Sequence, residues 1–130
     1  MDKASPAVEA FWNYTKSFQA LDPKAVAKYF NEPAMIITPQ GAQALPNAAA
    51  VEQAYARVMA ELPAQRYART EFSPIEEHRL GDDLVMLKGS GSWVDTSDKK
   101  FMPFGMTYVL RRTAQNWRIV MAMIHSADAT

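Results

Sequence analysis

Cysteine is absent from this chain, and histidine occurs only twice. With no thiol, there can be no disulfide, no thiolate nucleophile and no cysteine–zinc site. Two histidines, His78 and His125, lie too far apart in sequence to suggest a metal cluster, so neither a metal nor a cofactor is expected. Charge of one sign is also lacking: 14 basic residues balance 14 acidic ones. Nucleic acid and anionic membrane are therefore poor partners, since binding either draws on clustered Lys and Arg. The densest basic pairs, Lys99-Lys100 and Arg111-Arg112, read as solvated strand ends. No apolar run approaches the ~20 residues of a membrane span. The opening Met1-Asp2-Lys3-Ala4-Ser5-Pro6 carries no apolar leader segment, so a cytoplasmic protein is the expectation.

What is present is ordinary in amount and informative in order. Hydrophobic residues make up 48% of the 130 positions and charged ones 22%, which suits one globular domain spanning residues 1–130. The organising stretch runs from Leu84 to His125. It reads as three long strands, LVMLKGSGSWVD, FMPFGMTYVLRR and NWRIVMAMIH, separated by turn residues.

Upstream, Ser5-Pro6 is a helix start, with Ser5 as N-cap and Pro6 in the first turn. Val8, Phe11, Tyr14, Phe18 and Leu21 then recur at helical spacing up to about Ala20. Asp22-Pro23 starts a second, shorter helix, closed by Asn31-Glu32-Pro33. Ala34 to Thr38 reads as a strand and Ala42 to Asn47 as a small-residue loop. Asn47 caps a third helix, Ala48 to Glu61, which Pro63 stops. Arg66 to Arg79 reads as one long strand broken at Pro74. Helices first and a meander after give an α+β domain: a curved, mostly antiparallel sheet wrapped around three N-terminal helices in a cone. Gly89, Gly91 and Gly105 inside the strands suit that curvature.

The helix pair FWNYTKSFQALDPKAVAKYF running into NEPAMIITPQG, and the closing YVLRRTAQNWRIVMAMIHS, resemble the nuclear-transport-factor-2-like superfamily, the SnoaL-like, cystatin-like cones. The resemblance covers nearly the whole chain and implies the fold far better than an activity. Ketosteroid isomerase, an enzyme of this group, uses a tyrosine, an Asp base and a protonated Asp. Laid on this chain, the tyrosine falls at Tyr14, the base at Thr38 and the second acid at or beside Gly105. Only the first role has a fitting side chain. This branch thus lacks the catalytic carboxylates, and catalytic residues cannot be assigned.

Candidate ligand contacts follow from placement. Tyr14 and Tyr55 sit on apolar helix stripes, where a phenol needs a partner, either ligand or core. Trp93 follows Gly89 and Gly91 on one strand face, so a large ring stands beside an emptied wall. Thr38 and Thr107 are polar points in an apolar lining. His125 ends the last strand, either as a pocket donor or as a strand-end histidine in a subunit contact. Met86, Met102, Met106, Met121 and Met123 fit core filling, an interface or an adaptable ligand surface. Two functions compete. One is binding of a small apolar ligand in the cone, with isomerase-, cyclase- or hydrolase-type activity open. The other is a non-catalytic interaction module. A homodimer is expected either way, because the sheet carries apolar residues on both faces.

Overall fold

The computed structural model describes residues 5–114 and 116–126. Among these, three helices pack on the concave side of a mixed sheet of seven strands. Helix α1 spans Pro6–Gln19, α2 spans Pro23–Ala27 and α3 spans Ala48–Glu61. Each begins where a short polar side chain takes up a free backbone donor. Ser5 Oγ accepts from Val8 N, Asp22 Oδ1 from Ala25 N and Asn47 Oδ1 from Ala50 N. The three N-caps read from sequence are in place.

The strands are β1 Phe30–Thr38, β2 Gly41–Leu45, β3 Tyr67–Phe72, β4 Glu76–Arg79, β5 Leu84–Asp95, β6 Lys100–Thr113 and β7 Asn116–His125. Their order is β2-β1-β7-β6-β5-β3, with β4 also on β5. All pairings are antiparallel except β1 with β7, which is parallel. The α+β cone expected from sequence is the fold observed.

Three local expectations are corrected. Ala42–Asn47 is not a loop: its first residues belong to β2, which pairs back on β1 through a turn at Pro39-Gln40. Here Gly41 holds φ +146°, a backbone state that favours glycine, and this lets so short a turn close. Strand β1 begins at Phe30, before Pro33, because α2 ends within five residues. Arg66–Arg79 is two strands rather than one. Pro74 lies in the gap, and β3 and β4 pair with different halves of β5.

The core lies between helices and sheet. Phe11, Leu45, Leu87, Leu110 and Ile119 are wholly buried there, with Val26 and Val51 from the helices. Phe11 packs edge-on against Trp12, Phe72 and Tyr108, so an aromatic cluster links α1 to β3 and β6.

Candidate functional site

Strand alternation decides what looks into the cone. On β6, Met106, Tyr108 and Leu110 are buried on the helix side, and on β7 Ala122 and Ile124 share that face. Between them and the helices lies a cavity of about 240 Å³. Met106, Tyr108 and Ile124 line it, together with Tyr14, Thr15 and Phe18 of α1, Ala54, Tyr55 and Val58 of α3, Ile36 and Thr38 of β1, Thr70 and Phe72 of β3, Trp93 of β5 and Phe104 of β6. Val58 is 40% exposed and marks the rim. Phe18 and Trp93 lie nearly parallel, 6.0 Å between ring centres, and form an aromatic side to the opening.

Four of the six candidate residues come together here: Tyr14, Thr38, Tyr55 and Trp93. Thr107 and His125 do not. Both fall on the opposite strand parity and face away from the helices, where Thr107 Oγ1 and His125 Nε2 stand 3.0 Å apart. His125 Nδ1 lies 3.1 Å from the Ser126 carbonyl oxygen, which can only accept. In the neutral imidazole this places the proton on Nδ1, with Nε2 accepting from the Thr107 hydroxyl. Gly105 makes this possible, since a Cβ there would come within 2.6 Å of the His125 ring. The expectation about Trp93 also needs correcting. Gly89 and Gly91 do not empty the wall beside it: Ile75 fills the space over Gly89, and Phe72 and Phe104 that over Gly91.

Sequence reasoning missed Tyr108. Its hydroxyl lies 2.8 Å from that of Tyr14, which in turn lies 2.8 Å from that of Tyr55. The available signal was the alternation Met106–Tyr108–Leu110: an apolar strand face carrying one phenol must pair its hydroxyl with something buried, and two helix tyrosines needed the same.

This triad is the polar centre of the cavity. Three hydroxyls own three protons, and the two bonds between them use two. One O–H is left to donate. Among the threonines, Thr15 donates to the Trp12 carbonyl and Thr70 bonds the Tyr67 hydroxyl, while Thr38 accepts from Gln40 N and keeps its own O–H. Burial pushes all three phenols up, Tyr14 and Tyr55 well above 10 and Tyr108 to about 12. The neighbouring hydroxyls raise Tyr14 further, whereas for Tyr108 the bond from Tyr14 and the nearby Tyr55 hydroxyl offset part of the rise. At neutral pH the site is an uncharged donor. No carboxylate, imidazole, ammonium or guanidinium lines the cavity among the described residues.

A cone-shaped α+β barrel with an apolar, phenol-centred cavity defines the class. A family model described as "NTF2-like protein (DUF6841)" matches residues 3–127, and the chain belongs to that family. Similar solved structures include an NTF2-like protein with a cystatin-like fold from Novosphingobium aromaticivorans. It is 17% identical, covers 94% of this chain and 80% of its own, and has a TM-score of 0.76. A candidate calcium/calmodulin-dependent protein kinase type II association domain from Thiobacillus denitrificans is 21% identical over 96% and 98% of the two chains, TM-score 0.73. A candidate dehydratase of the NTF2-like family from Streptomyces avermitilis is 14% identical over 95% of each, TM-score 0.72. At such identities the likeness is one of fold. No curated protein matches the chain.

Proposed function

We propose that the cone binds a neutral, mostly apolar small molecule by one carbonyl or hydroxyl group, without turning it over. The observation that carries this is the composition of the cavity: an apolar wall, no ionised side chain, and one spare phenolic proton at its centre. At ~30 Å³ per water the space equals about eight waters, which suits a one- or two-ring ligand. Burial supplies most of the affinity, and the hydrogen bond fixes orientation. Turnover is disfavoured because acid–base chemistry near neutral pH needs a group that titrates there, and phenols raised above 10 do not.

The test is calorimetric titration with 1-tetralone, a neutral two-ring ketone, against tetralin, its hydrocarbon counterpart. The ketone is expected to bind more tightly, and Tyr14→Phe to weaken it by roughly 0.5–1.5 kcal/mol. Equal affinity for ketone and hydrocarbon, unchanged by the substitution, would remove the triad from the reading. An interaction module remains the second reading, favoured by the outer sheet face, where Met35, Met86, Val109 and Met121 form one cross-strand row. We propose that a second copy of the chain covers that row, with or without ligand in the cone.

A further inference from the structure

Toward the other end of β7 from the cone cavity, a second hollow of about 370 Å³ opens between α1, the end of α2 and the first residues of β7. Its volume falls in the ~300–1,000 Å³ range of small-molecule pockets. Its chemistry is the reverse of the first. Glu9 comes from α1, Lys28 and Tyr29 from the turn that follows α2, and Trp117 and Arg118 from β7.

The charges in this hollow are not spent on one another. Among the described residues, no ion pair joins Glu9 to Lys28 or Arg118. Arg118 is held in place by a 2.6 Å bond from Nη1 to the Lys28 carbonyl oxygen, and Ile119 N–H to the Tyr29 carbonyl ties the two segments together. Arg118 also stands directly across the ladder from Arg111, with no carboxylate paired to either. Like charges facing each other across a sheet are unfavourable, so an anion beside Arg118 would relieve the pair. Two cations against one carboxylate leave the hollow a net single positive charge, and the Trp117 and Tyr29 rings give it a flat apolar wall.

We propose that this hollow is a second ligand site, selective for a small organic monoanion: a carboxylate on a flat body. The carboxylate lies between Arg118 and Lys28, the body lies against Trp117 and Tyr29, and Glu9 repels a second negative charge. The site is separate from the cone cavity, whose wall shares none of these residues.

Benzoate is the probe, with benzamide as its neutral counterpart, titrated into the full chain by calorimetry. Saturable binding of benzoate and not of benzamide is expected. Lys28→Gln and Arg118→Gln should each weaken benzoate by about fivefold, and Glu9→Gln should strengthen it. The Lys28 residue is exposed, so its variant remains informative if Arg118→Gln impairs folding. Tyr14→Phe should leave benzoate affinity unchanged. The proposal is overturned if benzamide binds equally well, if the charge variants have no effect, or if Tyr14→Phe weakens benzoate, which would move it to the cone.

Discussion

Tyr14 is the residue on which the cavity depends. It holds the middle of the hydroxyl chain, so Tyr14→Phe strands two buried partners, whereas Tyr55→Phe ends a chain that still holds Tyr14 to Tyr108. A buried polar group left unpaired costs about 1–3 kcal/mol, more than the bond's own net value. Tyr14→Phe is therefore expected to lower the melting temperature more than Tyr55→Phe, which a pair of thermal melts will show. The triad also sets an alkaline limit. Tyr108 ionises near 10 when unfolded and at about 12 when folded, so the unfolded chain releases its proton first as pH rises. Stability from this group is complete below pH 10 and is lost between about 10 and 12, with a slope of about 1.4 kcal/mol per pH unit where the two states differ by one proton. Urea melts across that window should show a smaller fall in Tyr108→Phe than in the parent. An equal fall would mean that the phenol is not shielded as its burial implies.

At the scale of elements, the glycines of β5 divide into two kinds. A Cβ at Gly89 would meet the tip of the Ile75 side chain at 2.9 Å, which a rotamer change relieves. At Gly91 it would meet the Glu71 backbone carbonyl at 2.6 Å, with the rings of Phe72 and Phe104 behind it. Gly91→Ala is expected to cost about 1–3 kcal/mol in chemical denaturation, and Gly89→Ala clearly less. The same strands show what the sequence makes legible. Helix caps at Ser5, Asp22 and Asn47 and the long runs of β5 to β7 are local signals, so the elements and their order can be read directly. Face assignment is not local. Thr107 and Tyr108 are neighbours in a run apolar on both parities, and only the register against β5 and β7 decides which looks into the cone. Tyr14 and Tyr55 were legible because helix stripes leave them few other places, whereas Trp93 lines the cavity without the emptied wall that its glycines suggested. Tyr108 was not, because its role arises from hydroxyls 53 and 94 positions away. β2 was missed for a related reason: Gly-Ala-Gln-Ala has little strand propensity, and pairing with β1 creates it.

For the whole molecule, the decisive surface is the side of the sheet that the helices leave bare. Ile36 and Ile124 look into the cone, so Met35, Ile37, Met121 and Met123 look outward, joined by Val109 of β6 and Met86 of β5. Met86, Val109, Met121 and Met35 are consecutive partners across four strands, and Ile37 and Met123 form a second paired row beside them. A strip of this kind, spanning four strands at ~4.8 Å spacing, is a contiguous apolar patch rather than scattered exposure. The charged side chains around it are few: Lys88 lies beside Thr107, and Glu76 pairs across from Lys88 on the far strand. In the dimer proposed above, a two-fold axis would set the strip against its own copy, with flexible thioethers adapting the fit. The chain is therefore expected to be a dimer at micromolar concentration by light scattering coupled to gel filtration. Met121→Glu, at the centre of the first row, should give a folded monomer, because two like charges would be buried facing each other. Circular dichroism of the variant separates loss of the dimer from loss of the fold. A parent chain with monomer mass, or a Met121→Glu protein that is still dimeric, would show that this face is not where the copies meet.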